Sequence, residues 1–188
     1  MEAFWISLIV IFVAELGDKS QLMALTFASR FRPLPVLAGI TLATAIVHLL
    51  SVALGGFLGD TLPTTAISIA AGIAFLGFAL WTLRGDELTA DEARKAQRAT
   101  KSVLIAVTVA FFLSELGDKT MLATITLATQ HGWLATWIGS TVGMVAADAL
   151  AIVVGRLLGT HLPEKFIKYG ASAAFATFGV ILIAEAIL

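Results

Sequence analysis

Six stretches of this chain, at roughly residues 4–28, 36–58, 64–83, 102–128, 134–158 and 164–187, are long, apolar and nearly free of charge. Each holds about 20 residues or more, enough at 1.5 Å per residue to cross a hydrocarbon layer about 30 Å thick. Backbone in lipid has no water to bond with, so such segments must be helices that satisfy their own N–H and C=O groups. A soluble alternative fails on composition. The 188 residues are 59% hydrophobic and 13% charged, whereas soluble domains carry about a quarter charged residues. Lipid is therefore expected as the solvent for most of the surface. Pro63 and Pro163 suit the first turns of the third and sixth spans. Trp5, Trp81, Trp133 and Trp137 fall near span ends, as interfacial aromatics do.

The charges give an orientation. Arg30 and Arg32 lie in the first connection. Arg84, Arg94, Lys95, Arg98 and Lys101 lie in or beside the third, and Arg156, Lys165 and Lys168 flank the fifth. The N-terminus, the second and fourth connections and the C-terminus hold no Lys or Arg. The positive-inside rule then puts both termini outside and the central loop in the cytoplasm. That loop, residues 85–101, is the one long hydrophilic segment. Its Thr89-Ala-Asp-Glu92 fits a capping box, and it reads as a solvated connector. The N-terminus lacks the positive region and cleavage site of a signal peptide and reads as the start of the first span. A net charge of −1 suggests no nucleic-acid partner. With no cysteine, disulfides, thiolate metal sites and cysteine nucleophiles are excluded.

Sliding the sequence against itself by 100 positions lays Glu15-Leu-Gly-Asp-Lys19 on Glu115-Leu-Gly-Asp-Lys119. Without a gap, Leu22, Thr26, Gly39, Thr41, Gly55, Gly59, Pro63, Phe75 and Phe78 also match their counterparts. The expected fold is thus an all-α integral membrane protein of six transmembrane helices in two three-helix repeats. Repeat 1 is 1–84, the charged cytoplasmic linker 85–101 and repeat 2 is 102–188. An odd number of spans per unit makes the second copy enter from the opposite side. Inverted repeats of this kind are a transporter architecture, with the site near the midplane at the repeat interface.

Glu15 and Glu115 fall near the centres of spans 1 and 4, where ionisable groups are costly and functional. Glu15 and Asp18 are i,i+3 and share a helix face, and Glu115 and Asp118 do the same. Gly17 and Gly117 between them permit close approach or a helix break. If the two faces meet, inversion orders the acids as a column: Asp18, the two glutamates, Asp118. Four carboxylates and two lysines sum to −2 when ionised. In a low dielectric that charge needs a divalent cation or protons to balance it, which suggests an antiporter. An oxygen-only ligand set favours Mn²⁺, Ca²⁺ or Mg²⁺. Ser20, Thr120 and Gln21 can add ligands or orient them. Lys19 and Lys119 are expected to pair with the acids.

Asp148 lies mid-span in helix 5, and its counterpart is His48 in helix 2. An acid and an imidazole at equivalent depth can serve a proton relay, although His48 also reads as a packing histidine. Glu185 and Asp60 sit near outer span ends and read as solvated. Gly55-x-x-x-Gly59 and Gly155-x-x-x-Gly159 are small-residue packing motifs, for contacts within the chain or in a homodimer.

The complete motifs Glu15-Leu16-Gly17-Asp18-Lys19-Ser20 and Glu115-Leu116-Gly117-Asp118-Lys119-Thr120 resemble those of the Gdt-type cation exchanger family. That family is also described as calcium/proton antiporters or manganese exporters related to the lysine-exporter superfamily. The likeness extends over essentially the whole chain. It implies Mn²⁺ and Ca²⁺ as cargo, proton exchange, the motif acids as ligands, no cofactor and no enzymatic activity. For a short prokaryote-like chain it implies manganese export across the plasma membrane. A Ca²⁺/H⁺ exchanger and a small amino-acid exporter are the alternatives within transport. A lipid-phosphate enzyme would want Arg clusters near an interface to hold phosphate, and no Arg lies deep in a span.

Overall fold

The computed structural model describes residues 1–84, 102–158 and 164–187. The linker with its expected capping box, Gly159 and Pro163 lie outside the described residues, as do the side chains of Arg156, Lys168 and Glu185. Eight helices and no strand occur among the described residues. They are α1 (Glu2–Glu15), α2 (Lys19–Arg30), α3 (Pro33–Thr61), α4 (Thr64–Arg84), α5 (Val103–Glu115), α6 (Lys119–Gln130), α7 (Trp133–Leu158) and α8 (Glu164–Ile187).

Two expected spans are not single helices. The stretch 4–28 is α1 followed by α2, and 102–128 is α5 followed by α6. The cause is local. Leu16 turns extended (φ −62°, ψ 121°), Gly17 takes φ 76°, and Asp18 is extended at the N-cap of α2 (φ −81°, ψ 163°). Leu116, Gly117 (φ 80°) and Asp118 repeat this in the second half. A left-handed φ is open to glycine at no steric cost, whereas a Cβ would crowd the next carbonyl. At 14 and 12 residues, α1 and α2 each reach only about 18–21 Å, short of a bilayer core of about 30 Å.

Local chemistry starts the remaining helices, with Pro63 just before α4 and not in its first turn. Pro33 stands in the first turn of α3, where a missing N–H costs nothing. Ser102 caps α5 by accepting a hydrogen bond from the Ile105 N–H at 3.5 Å. Pro63 directly precedes α4, and its carbonyl accepts from the Ile67 N–H at 3.0 Å.

Each broken pair packs on the long helix of the other half. α3 lies against α5 and α6, α7 lies against α1 and α2, and α4 pairs with α8. Residues one hundred positions apart meet where α3 crosses α7 and where α4 pairs with α8. The Thr44 hydroxyl lies 3.4 Å from the Met144 sulfur, and the rings of Phe75 and Phe175 are 5.8 Å apart. Gly55 and Gly59 face the backbone of α6. A Cβ on Gly59 would sit 2.7 Å from the Thr129 carbonyl oxygen. That glycine pair therefore serves packing within the chain. Trp5 and Trp133 are exposed, but Trp137 is partly buried and donates its indole N–H to the Ala45 carbonyl at 2.8 Å.

The distribution of polarity is inside out. Ile9, Leu54, Phe57, Leu80, Ile105 and Val180 are exposed, while Glu15, Asp18, His48, Glu115, Lys119 and Asp148 are buried. So broad an apolar exterior is foreign to a soluble monomer. Pro33–Thr61, Thr65–Arg84 and Trp133–Gly155 are long and apolar enough to cross a membrane; Val103–Glu115 and Tyr169–Ala184 are shorter apolar segments. The chain is an all-helical membrane protein.

Candidate metal centre between two helix breaks

The breaks decide where the charged groups go. Glu15 and Glu115 end α1 and α5, and Asp18 and Asp118 open α2 and α6. A helix C-terminus carries partial negative charge and an N-terminus partial positive charge. Two of each converge here, so cations and carboxylates both find favourable ends. The arrangement departs from the shared helix face expected for Glu15 and Asp18, because Asp18 lies outside the helix that Glu15 ends. A four-residue turn joins each pair instead: the Asp18 N–H donates to the Glu15 carbonyl at 3.1 Å, and the Asp118 N–H to that of Glu115 at 3.2 Å.

Carboxylate oxygens of Glu15, Asp18 and Glu115 lie within 4.8 Å of one another, and all three residues are buried. Asp118 is buried too but stands outside this compact group. Three of the four acids expected to line up thus lie together, with Asp118 outside that trio. Within it, Oε2 of Glu15 and Oε1 of Glu115 are buried with no hydrogen-bond donor. Buried acceptors left this way are rare and call for an occupant or a functional reason.

The neighbours orient the acids. The Ser20 hydroxyl donates to Oε1 of Glu15 and lies 3.3 Å from Oδ2 of Asp18. The Thr120 hydroxyl donates to Oε2 of Glu115 at 2.9 Å. Gln21 stabilises the break: its Oε1 accepts from the Gly17 N–H at 2.8 Å, and its Nε2 donates to the Ala147 carbonyl at 3.1 Å. Met121 is the counterpart, its sulfur accepting from the Gly117 N–H at 3.2 Å. Sequence reading missed Met121, although the 21/121 register of the repeat pointed to it.

The lysines pair with aspartates across the halves. Lys119 Nζ lies 2.5 Å from Oδ1 of Asp18, and Lys19 Nζ lies 3.9 Å from Oδ1 of Asp118. Asp148 is fully buried, and neither carboxylate oxygen has a hydrogen-bond partner. It acts electrostatically on Glu15 and Glu115 and feels Asp18. His48 is equally buried with both ring nitrogens unbonded. The structure thus brings Asp148 to the acids. Glu15, Asp18, Glu115, Asp118 and Asp148 together carry five negative charges against two lysines, a formal −3. A dry interior requires that excess to be balanced. Hard, oxygen-only donors suit a divalent cation of the Ca²⁺, Mg²⁺ or Mn²⁺ type.

The family described as divalent cation/proton antiporter GDT1 matches residues 3–90 and 103–188. A Vibrio cholerae protein named "Putative manganese exporter" is 34% identical over 93% of this chain and 87% of its own length. A Synechocystis protein named "GDT1-like protein sll0615" is 29% identical over 96% of both chains. The Arabidopsis thaliana "Protein PAM71, chloroplastic" is 30% identical over 94% of this chain and 55% of its own. No solved structure matches. Two motif-bearing helix breaks with clustered acids, and a family match that omits little beyond the linker, lead to one conclusion: this chain belongs to the divalent cation/proton antiporter GDT1 family.

Proposed function

We propose that this protein exports divalent cations, Mn²⁺ foremost, in exchange for protons by alternating access. The observation that carries the reading is the buried group of Glu15, Asp18 and Glu115, whose oxygens lie within 4.8 Å of one another. In this reading Glu15, Asp18, Glu115 and Asp118 bind the metal, while Ser20, Thr120 and Gln21 orient them. Asp148 carries protons beside the site; His48, buried on α3, packs in the interior. The Vibrio cholerae relative's name supports manganese as the cargo. Ca²⁺ shares the same hard oxygen donors, so Ca²⁺/H⁺ exchange is the second reading. An amino-acid cargo would need a cation for its carboxylate, and both lysines are engaged with aspartates.

The broken pairs α1–α2 and α5–α6 each complete one crossing, giving six crossings in two inverted repeats, 1–84 and 102–188, joined by the linker 85–101. The swapped packing of α3 and α7 and the meeting of residues one hundred apart support that symmetry. The loop arginines and lysines support termini outside, in a plasma membrane. The test uses inside-out vesicles with a pH-sensitive dye. Mn²⁺ or Ca²⁺ should dissipate an imposed proton gradient, and Glu15→Gln and Glu115→Gln should each abolish that response. Exchange retained in both variants refutes the site.

A further inference from the structure

The two motif lysines are alike in sequence but not in place. Lys119 lies 2.5 Å from Asp18, with side chains 3% and 0% exposed. Lys19 lies 3.9 Å from Asp118 and is 18% exposed. Asp18 belongs to the compact acid group and Asp118 does not. The tighter, drier ion pair therefore falls on the one aspartate that a cation in that group would use. A divalent ion bonds carboxylate oxygens at roughly 2.0–2.6 Å. An ammonium at hydrogen-bond distance from the same carboxylate would then stand within a few ångströms of the metal. Two cations so close in a poorly screened interior repel strongly. Occupancy by one must weaken occupancy by the other. The geometry has a second consequence. Lys119 opens α6 in the second half, whereas Asp18 caps α2 in the first. Breaking this pair also loosens a contact between halves.

We propose that the Lys119 ammonium is a tethered competitor of the transported cation. It holds Asp18 in the empty carrier, withdraws when the cation binds, and helps expel the cation when it returns. The proposal rests on Glu15, Asp18 and Glu115 being the cation's ligands. Lys119 is thus a positioning residue whose removal strengthens binding while slowing export, the reverse of what loss of a ligand does.

The test measures Mn²⁺ binding to the full chain in lipid nanodiscs, from loss of the free-ion electron paramagnetic resonance signal. Lys119→Met should bind Mn²⁺ roughly tenfold tighter or more, the scale expected when a close buried charge pair is removed. Lys119→Arg, which keeps the cation, should bind like wild type, and Lys19→Met should change affinity far less. In proteoliposomes Lys119→Met should lose proton-coupled export and keep Mn²⁺–Mn²⁺ exchange. If Lys119→Met does not fold, Lys119→Gln must show the same tightening. Unchanged or weaker binding in the uncharged variant, with Asp18→Asn losing binding, overturns the competitor and leaves the site standing. Wild-type binding in Asp18→Asn overturns the site reading, and the competitor with it.

Discussion

Gly117→Ala isolates the helix break from every other feature of the site. A Cβ built on Gly117 meets no atom within 4 Å, so substitution creates no clash. The whole cost is the backbone, because Gly117 sits at φ 80°. Holding alanine in that left-handed region costs about 1–2 kcal/mol. For a chain of this size, that lowers the unfolding midpoint by roughly 2–8 °C. The escape route is functional. If the chain relaxes to a continuous helix, Asp118 leaves its N-cap and Lys119 is carried away from Asp18. Tryptophan fluorescence during thermal unfolding in detergent reads the first effect, and the vesicle proton assay reads the second. Gly56→Ala is the control, since that glycine is helical and its added Cβ also meets nothing within 4 Å. It should be neutral, or slightly stabilising through helix propensity. If Gly117→Ala matches the control in both stability and exchange, a left-handed glycine does not hold the break and the account is wrong.

Thr120→Val removes the hydroxyl that donates to Glu115 at 2.9 Å; at about 1–3 kcal/mol for a buried acceptor left unpaired, Mn²⁺-driven proton flux should fall while Thr120→Ser retains it. Gly59→Ala drives a Cβ against the Thr129 carbonyl, and overpacking of about 1–3 kcal/mol should lower the unfolding midpoint. The chain has no cysteine, so impermeant maleimide should label a single cysteine at Gly132 in intact cells and one at Arg32 only in inside-out vesicles; the same access pattern for both refutes the topology. His131, in the connection after α6, is held below its ordinary value of 6.5 by partial burial, opposed by nearby Glu2. Its contribution to stability is present above that value and declines as pH falls through its lower folded-state pKa. The His131→Gln variant should lose less stability on acidification than wild type, as read by unfolding midpoints across that pH range.

Much of the chain was legible without coordinates because hydropathy and repetition are local properties. A long apolar run must be helical in lipid whatever it packs against, and each of α3, α4, α7 and α8 lies within about three residues of its expected bounds at every described end. The breaks were harder to read. Gly17 and Gly117 permit a left-handed turn, but glycine also sits inside intact helices, as Gly56 and Gly77 do. Only the surroundings select the break: Gln21 and Met121 take the freed Gly17 and Gly117 N–H groups. The face-sharing of Glu15 and Asp18 was inferred from a helical period that stops at Glu15, so the acids do meet, but by a turn.

The duplicated motif by itself placed two sets of acids and lysines in the apolar part of the chain. It could not say which acid meets which lysine. Within one helix, i,i+4 neighbours are set by backbone geometry, but the expectation read from sequence was only that the lysines pair with the acids. Across two halves, proximity depends on how far α2 and α6 approach and where each begins. Tertiary packing therefore decided that Lys119 reaches Asp18, that Asp148 joins the acids, and that two near-identical motifs are placed unequally.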